Sequence, residues 1–284
     1  MVTWRDAWRW GSSQLRLVGV GAHSREAHSL LDLDLDLPSP ALLRPGERVE
    51  EGLWLSYVQR ICRRVRREPL QYIRGEVEFH SLPFHVRPGV LIPRPDTEIL
   101  LDEILRRTRA LPPGPILDLG TGTGALAVSM AHEMPDRRIV ASDICGGALE
   151  LARENARRNG VLDRISFVLG NLFAPLAGRR FAAIVSNPPY VRRDDLAGLA
   201  PEVRDWEPAT ALDGGEDGLL YARAIVAQSA DHLVPRGLLA LEIGTGQADD
   251  VASLCEQYLG HDVEIIGDLA GIERVVVCQR GEDQ

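Results

Sequence analysis

Residues 116–124, Ile116-Leu117-Asp118-Leu119-Gly120-Thr121-Gly122-Thr123-Gly124, pass from an apolar stretch directly into a glycine-rich loop. A segment rich in Ala and Leu, which favours a helix, follows the loop. Glycines in such a loop let the backbone pass close to a ligand and adopt dihedral angles that a side chain forbids. The segment therefore predicts a strand, a ligand-binding turn and a helix in an α/β sheet.

Short apolar runs continue along the chain on the carboxyl side of this loop. They lie at residues 116–119, 138–142, 165–169, 181–186, 238–243, 262–266 and 274–278. The early runs leave room for a helix between them, which predicts right-handed crossovers and a parallel twisted sheet. The last two runs have no helical pattern between them and predict an antiparallel hairpin at the end of the sheet. The expected fold is an α/β, seven-stranded Rossmann-like sheet with an antiparallel last strand.

The 284 residues are too many for one minimal domain, and the amino-terminal part has a different pattern. Apolar residues recur there at helical spacing, as in Leu53, Tyr57, Ile61 and Val65, which predicts a small helical bundle. Residues 76–86 indicate a short hairpin, and a helix is expected to begin near Asp96. We therefore expect a helical domain at 1–74, a β-hairpin linker at 75–95 and the α/β domain at 96–284.

The charge is unevenly distributed between these parts. Residues 1–111 carry 17 Arg and 15 acidic residues, whereas residues 112–284 carry 15 Arg and 26 acidic residues, and the net charge is -9. Proteins that grip bare nucleic acid usually have a basic footprint, because neutralised phosphates supply most of the affinity. The acidic carboxyl-terminal part argues against direct, stable binding of nucleic acid.

A run of Arg at positions 60, 63, 64, 66 and 67 stands at the end of a predicted helix, where positive charge suits the helix dipole. It is open to two interpretations. It is either a solvated helix face or a docking surface for an acidic or nucleic-acid-rich partner.

The remaining composition is that of a globular protein without a membrane span. Cys62, Cys145, Cys255 and Cys278 have no metal-ligand spacing, so we expect reduced thiols and no metal. Residues 1–10 contain charged residues and lack the apolar core of a signal peptide, which favours a cytoplasmic location.

The spacing of the glycine loop points to a class of ligand. Gly120, Gly122 and Gly124 form G-x-G-x-G, whereas a dinucleotide loop prefers G-x-G-x-x-G because its pyrophosphate sits on the helix amino terminus. S-adenosylmethionine has no phosphate, and a tight loop around its amino-acid portion fits this spacing better. Asp143 follows Gly124 by 19 residues, near the ~20-residue offset of an acid that accepts ribose hydroxyls. Asp143 could alternatively cap the next helix.

The segment Ser186-Asn187-Pro188-Pro189-Tyr190 stands at the end of the fourth predicted strand. Two prolines cannot donate to a sheet, so the chain must leave it here as a stiff loop. The Asn187 side-chain oxygen and the Pro188 carbonyl become fixed acceptors for the two hydrogens of a planar NH2 group, and Tyr190 offers a flat face against that group. Such positioning directs the nitrogen lone pair at a sulfonium methyl without a strong base.

With these motifs, the chain resembles the HemK/PrmC family of protein-(glutamine) methyltransferases over nearly its whole length. Further matching segments are PLQYIRG (69–75), LIPRPDTE (91–98), EPATALDGGEDGL (207–219) and LEIG (241–244). The Ile-Pro-Arg-Pro segment is the most specific of them, because Asn-Pro-Pro-Tyr also occurs in DNA adenine and some RNA methyltransferases.

The resemblance implies a class I methyltransferase that methylates the glutamine of the Gly-Gly-Gln motif in peptide chain release factors, with S-adenosyl-L-homocysteine as product. It implies that loop 120–124 and Asp143 hold the cofactor, that loop 93–98 lines its methionine end, and that Asn187 contacts both cofactor and substrate. Residues 187–190 would bind the glutamine amide, with Asn187, Pro188 and Tyr190 as catalytic residues. Leu172 stands where relatives carry an aromatic residue, commonly Trp, and would pack on adenine without ring stacking. The helical domain would recognise the substrate.

Two other activities remain open from the motifs. A ribosomal-protein glutamine methyltransferase would use the same pocket. A nucleic-acid amino-group methyltransferase acting on adenine would present an equally suitable NH2 group. A non-enzymatic adaptor does not account for both pockets, and the oligomeric state is not predicted. The pair Gly244 and Gly246 is interpreted as a strand-to-helix turn.

Overall fold

A computed structural model describes residues 2–34, 46–107, 109–260 and 262–282. The chain divides into two compact units, the first formed by Met1–Gly75 with Pro201–Trp206 and the second by Glu76–Ala200 with Glu207–Gln284. The helices are α1 (Trp4–Leu17), α2 (His23–Leu31), α3 (Glu51–Val65), α4 (Leu70–Arg74), α5 (Asp96–Arg107), α6 (Ala125–Glu133), α7 (Gly146–Arg158), α8 (Pro201–Arg204), α9 (Leu220–His232) and α10 (Ala248–Tyr258). The strands are β1 (Glu76–Phe79), β2 (Leu82–His85), β3 (Ile116–Leu119), β4 (Ile139–Asp143), β5 (Ile165–Leu169), β6 (Phe181–Ser186), β7 (Leu233–Glu242), β8 (Val263–Gly267) and β9 (Glu273–Gln279).

The first unit is the predicted helical bundle. Thr3 caps α1 through a reciprocal pair of hydrogen bonds with Asp6, a capping box that satisfies amides at the start of the helix. Helix α1 packs on α2 and α3, and Tyr57 and Ile61 of α3 are buried in their common core. Gly11 makes this approach possible, because a Cβ there would lie 1.9 Å from the Tyr57 Oη.

The Arg run at the end of α3 is largely used inside the first unit. The Arg64 side chain is 5% exposed and pairs with Glu26 at 2.6 Å and with Glu202 at 2.8 Å. Arg67 also pairs with Glu202, at 2.8 Å, and Arg63 pairs with Glu68. A buried guanidinium needs such partners because an uncompensated buried charge is costly. Arg64 is therefore part of neither a solvated face nor an exposed docking surface.

The second unit contains the predicted sheet, and the fold prediction is confirmed. Within the described residues the sheet has seven strands in the order β5-β4-β3-β6-β7-β9-β8. Strands β3 to β7 are parallel, and β9 runs antiparallel between β7 and β8. The last two strands form the antiparallel hairpin that was predicted because no helical pattern separates their apolar runs. Strand β7 begins earlier than expected, at Leu233, and its register with β6 shifts near Phe181.

The central strands are buried on both faces, which is why they read as continuous apolar runs. Residues of β3, β6 and β7 alternate between two hydrophobic clusters; for example, Ala183 and Val185 face one cluster and Ile184 between them faces the other. The burial fixes the register of these strands, since a slip of one residue would exchange the two faces.

The hairpin predicted near residues 76–86 is β1–β2, and it belongs to the second unit. Phe79 and Phe84 meet edge to face with their ring centroids 6.1 Å apart, inside the core of that unit. The Asn155 side chain on α7 accepts from the His85 amide at 2.7 Å and donates to the His85 carbonyl at 3.1 Å. These bonds fix β2 against α7.

No helix among the described residues combines the length and the apolar character needed to cross a membrane. The same residues contain no group of three or more His, Cys, Asp or Glu side chains placed to hold a metal ion. The four cysteines are free thiols, with Cys255 and Cys278 buried.

Candidate active site

A cavity of about 210 Å³ lies in the second unit at the carboxyl ends of β3, β4 and β6. The strand order reverses between β3 and β6, and ligands of open α/β sheets bind at such a switch point. The lining residues come from segments 89–97, 119–126, 142–148, 170–172, 186–189, 208–211 and 221–225. The structure therefore brings the glycine loop, Asp143, Leu172 and Asn187 to one cavity.

The glycine loop follows β3 and depends on left-handed backbone angles. Gly120, Gly122 and Gly124 have φ of 80°, 56° and 83°, a region that residues with a side chain rarely adopt. A Cβ on Gly124 would also lie 3.0 Å from the Ala152 Cβ on α7. Gly124 does not line the cavity and instead lets α6 begin close to α7, whereas Gly120, Thr121, Gly122 and Thr123 all line it.

Asp118 holds this loop through hydrogen bonds, and it was not predicted as a site residue. Its Oδ2 accepts from the Thr121 hydroxyl at 2.6 Å and from the Ala127 amide at 3.0 Å. The side chain is 1% exposed, and Oδ1 has no hydrogen-bond partner. Burial raises the pKa of Asp118 to about 7, because the low-dielectric surroundings disfavour the charged carboxylate. The sequence signal that could have identified Asp118 was its position in segment 116–124, two residues before Gly120.

Asp143 stands at the end of β4 and lines the cavity. Its Oδ2 accepts from the Gly122 amide at 2.9 Å, and its Oδ1 accepts from the Cys145 amide at 2.8 Å. Cys145, not Asp143, occupies the cap position of α7. The two bonds orient the carboxylate and leave each oxygen further lone pairs for ligand hydroxyls. The predicted contact with ribose hydroxyls remains a prediction that this geometry permits.

Leu172 lies in the loop after β5 and lines the cavity together with Asn171. Its φ of 46° is in the left-handed region, which costs a residue with a side chain about 1 to 3 kcal/mol. Such strain clusters at ligand-binding sites. The aliphatic side chain offers the cavity an apolar surface, so adenine packing without ring stacking remains the prediction.

The Asn-Pro-Pro-Tyr segment leaves β6 at the cavity, as the sequence predicted, and Asn187, Pro188 and Pro189 line it. The Asn187 Nδ2 donates to the Thr97 hydroxyl oxygen at 3.0 Å. This bond engages the amide nitrogen, so the carboxamide oxygen is the acceptor that remains for a ligand. Thr97 is 5% exposed and belongs to the first turn of α5, after the Ile-Pro-Arg-Pro loop.

Tyr190 ends the motif, and its place against the substrate amide remains a prediction. It is not among the residues that line this cavity, and its hydroxyl donates to Glu242 Oε1 at 3.3 Å. The backbone carbonyl of Tyr190 accepts from the Gln247 side chain at 3.0 Å. A Cβ on Gly214 would lie 2.8 Å from the Tyr190 Cα, and one on Gly218 would lie 2.5 Å from its carbonyl oxygen. The glycines of segment 207–219 thus allow close packing around the Tyr190 backbone.

The Ile-Pro-Arg-Pro loop is held by Glu207, which sequence reasoning did not assign to the site. The Glu207 side chain is 1% exposed, pairs with Arg94 and accepts from the Ile92 amide at 3.4 Å. Arg94 and Pro93 line the cavity. The quoted segments 91–98 and 207–219 were each visible in the sequence, but the pairing of Glu207 with Arg94 follows only from the fold.

The chemistry of the lining residues fits S-adenosylmethionine. Nothing lies within 4 Å of the position of a Cβ on Gly120, so a ligand can approach the loop backbone. Asp143 supplies a carboxylate suited to ribose hydroxyls, and Arg94, the one Arg among the lining residues, is already neutralised by Glu207.

The antiparallel β9 between β7 and β8, together with this cavity, defines the class: the chain is an S-adenosylmethionine-dependent methyltransferase with a Rossmann-like fold. Residues 94–200 match the family model "Methyltransferase small domain", and residues 6–75 match "PrmC N-terminal domain". A T. thermophilus 16S rRNA methyltransferase solved with AdoMet and guanosine shares the fold, with a TM-score of 0.52 and 19% identity over 72% of this chain and 49% of that chain.

Two curated relatives narrow the class to a family. The release factor glutamine methyltransferase of Geobacter sulfurreducens is 46% identical over 76% of this chain and 75% of its own. That of Moorella thermoacetica is 40% identical over 99% of this chain and 100% of its own. The chain belongs to the release factor glutamine methyltransferase family, which confirms the resemblance seen in the motifs.

Proposed function

We propose that this enzyme transfers a methyl group from S-adenosylmethionine to the side-chain amide nitrogen of the glutamine in the Gly-Gly-Gln motif of peptide chain release factors. The observation that carries the proposal is the end-to-end match with the Moorella thermoacetica enzyme, which includes the amino-terminal unit. Nucleic-acid methyltransferases share the sheet, but the rRNA enzyme matches only 72% of this chain and at 19% identity.

The fixed acceptors at the cavity account for activation of a poor nucleophile. The amide lone pair is delocalised, so the nitrogen must be oriented and its electron density increased. The Asn187 side-chain oxygen and the Pro188 carbonyl can accept the two amide hydrogens, which holds the NH2 group in one orientation. Because the acceptors are fixed before the reaction, they stabilise the positive charge that develops on nitrogen without reorganising.

When bound, S-adenosylmethionine supplies a methyl group on a positively charged sulfur. The amide nitrogen forms the new bond to the methyl carbon, and the carbon–sulfur electron pair stays on sulfur. The nitrogen becomes acidic as its bond to carbon forms, and one proton leaves to solvent. Asn187 and Pro188 hold the nitrogen throughout, and no His is required beside the motif.

The first unit is proposed to recognise the release factor. Its match with the PrmC N-terminal domain over residues 6–75 supports this role. The paired Arg63, Arg64 and Arg67 would shape the bundle rather than contact the partner, because their charges are neutralised within the unit. Action on release factors would place the enzyme in the cytoplasm, where translation occurs.

The test uses the full chain with labelled S-adenosylmethionine and a purified release factor carrying either Gly-Gly-Gln or Gly-Gly-Ala. Label is expected in the first protein only, and mass spectrometry should place one methyl group on the glutamine side chain. Ribosomal proteins and adenine-containing DNA serve as parallel substrates. Equal labelling of both release factors, or labelling of DNA or a ribosomal protein alone, would refute the proposal.

A further inference from the structure

Gln247 contacts the substrate motif, although the proposed mechanism gives it no role. It stands at the cap position of α10, directly after the turn that contains Gly244 and Gly246. Its side-chain Nε2 donates to the Tyr190 carbonyl at 3.0 Å, and its Oε1 accepts from the Gly244 amide at 2.8 Å. Gln247 is only 9% exposed. Backbone groups therefore engage both ends of this side chain, and one of these groups belongs to the Asn-Pro-Pro-Tyr segment.

These two hydrogen bonds give the Gln247 carboxamide a single orientation. A carboxamide has a donor end and an acceptor end of nearly the same shape, and only the partners distinguish them. The Gly244 amide can only donate, and the Tyr190 carbonyl can only accept. The reversed orientation would set two donors against each other at Gly244 and two acceptors at Tyr190. Gln247 thus presents its NH2 group to the Tyr190 carbonyl.

Two glycines allow Gln247 to lie this close to the motif. A Cβ on Gly244 would lie 3.1 Å from Tyr190 Cδ2 and 3.0 Å from Gln247 Oε1. A Cβ on Gly218 would lie 2.5 Å from Gln247 Nε2. The strand-to-helix turn at Gly244 therefore does more than reverse the chain, because it brings Gln247 and the Tyr190 ring together.

A stiff piece of chain joins Tyr190 to the Pro188 carbonyl, which is one of the two proposed acceptors for the substrate amide. Peptide bonds are planar, and the ring of Pro189 fixes its φ. Between the Pro188 carbonyl and the Tyr190 Cα, the only soft dihedral angle is therefore ψ of Pro189. A displacement of Tyr190 is consequently passed on to the Pro188 carbonyl.

We propose that Gln247 is a positioning residue for methyl transfer, which holds the Tyr190 carbonyl and thereby fixes the Pro188 carbonyl where it accepts from the substrate amide. The Tyr190 hydroxyl, which donates to Glu242 Oε1 at 3.3 Å, is a second point of attachment of the same residue. The described residues that line the cofactor cavity include neither Gln247 nor Tyr190, so Gln247 acts on the amide and not on S-adenosylmethionine. The inference rests on the proposed function, because it concerns the acceptor for the glutamine amide.

The first experiment compares Gln247→Met and Gln247→Glu with the wild type. Met has a similar length but no NH2 group, and Glu sets a carboxylate oxygen against the Tyr190 carbonyl oxygen at neutral pH. We expect both variants to lower kcat by about 10- to 100-fold, because a misplacement of about 1 Å caused far from the reacting atoms can cost about 100-fold. The Kd of S-adenosylmethionine should be nearly unchanged. Thermal unfolding shows whether each variant is folded at the assay temperature, and Gln247→Met decides if Gln247→Glu is not.

Gln228→Glu is the matched control. The Gln228 side chain lies exposed on α9 and also donates through Nε2 to a backbone carbonyl, that of Ala224, at 2.8 Å. The same chemical change, made away from the motif, should leave kcat near the wild-type value. A loss in Gln228→Glu equal to that in Gln247→Glu would show that the effect is not specific to the motif and would overturn the inference.

The pH dependence of Gln247→Glu separates positioning from a merely structural role. A protonated carboxyl can donate to the Tyr190 carbonyl while its other oxygen still accepts from the Gly244 amide. Burial favours the neutral form of a carboxyl, so kcat relative to the wild type at the same pH should recover as the pH is lowered from about 8 to about 5. Gln247→Met has no group to protonate and should show no recovery. A ratio independent of pH in Gln247→Glu, or wild-type kcat in Gln247→Met, would overturn the inference.

A further readout needs no substrate and keeps this inference separate from the proposed function. In NMR spectra of the wild type, the Gln247 side-chain NH2 hydrogens should exchange slowly with solvent, because they are bonded and nearly buried. The carbonyl carbon signals of Tyr190 and Pro188 should move in Gln247→Met. Unchanged signals would refute the inference even if the release factor is methylated. Absence of release-factor labelling by the wild type, with the signals displaced as expected, would refute the proposed function alone.

Discussion

The packing around Tyr190 predicts that Gly218→Ala will damage both stability and turnover. Gly218 has φ of 79°, and an added Cβ would lie 2.5 Å from the Tyr190 carbonyl oxygen and 2.5 Å from the Gln247 Nε2. Gly246 has nearly the same φ, 80°, but nothing lies within 4 Å of its Cβ position. Gly246→Ala is therefore a matched control that carries the backbone cost without the clash.

The two variants should differ by the cost of the clash. The left-handed conformation costs an L-residue about 1 to 2 kcal/mol, which is the loss of unfolding free energy expected for Gly246→Ala. Overpacking adds about 1 to 3 kcal/mol, so Gly218→Ala should lose about 2 to 5 kcal/mol in total. Displacement of the Tyr190 backbone should also shift Pro188 and lower kcat in Gly218→Ala only.

Thermal unfolding and methyl-transfer kinetics measure both effects. For a unit of this size each kcal/mol lowers Tm by about 2 to 4 °C, so the variants should be readily distinguished. Binding of S-adenosylmethionine should be retained in both. Equal Tm values for the two variants, together with wild-type kcat in Gly218→Ala, would show that the close packing on Tyr190 is not tight enough to matter.

Three further changes test other parts of the site. Asn187→Ala should lower kcat by about 100-fold or more while leaving Tm nearly unchanged and much of the S-adenosylmethionine affinity intact, and unchanged turnover would contradict its proposed role. Glu207→Ala leaves Arg94 and the Ile92 amide without their acceptor, so chemical unfolding should show a loss of about 3 kcal/mol; a loss below the effect of an exposed Glu→Ala control would contradict the buried pairing. Asp118 has a pKa raised to about 7 by burial, so between about pH 4 and pH 7 the folded state binds more protons than the unfolded state and stability falls as the pH rises. Asp118→Asn should weaken that decline in unfolding measurements from pH 4 to pH 8, and an identical pH slope in wild type and variant would show that Asp118 is not protonated in the folded state.

The sheet could be predicted from the sequence because its strands are short apolar runs buried on both faces. The run at 116–119 coincides with β3, and the run at 181–186 coincides with β6. The final hairpin could be predicted because no helical pattern separates its strands. The start of β7 was missed, because Pro235 and Gly237 interrupt the apolar pattern where the register with β6 shifts.

Parts of the candidate site could be predicted where the conformation of the chain is set by one short segment alone. The glycine loop needs left-handed angles, and the two prolines after Asn187 need an exit from the sheet, so both are visible without a partner. The hydrogen-bond partner of the Tyr190 hydroxyl was not predictable in this way, because Glu242 lies 52 residues further along the chain.

The sequence by itself determined the α/β sheet, the helical amino-terminal part, the glycine loop and the stiff exit from the sheet at Asn-Pro-Pro-Tyr, because each depends on local backbone preferences or on the periodicity of apolar residues. Only the tertiary structure decided that Arg64 is buried between Glu26 and Glu202, that Glu207 pairs with Arg94, and that the Asn187 side chain donates to the Thr97 hydroxyl. These pairs join residues far apart in the chain. The free energy of a buried charge or hydrogen bond depends on the partner that folding brings to it, and no local pattern encodes that partner.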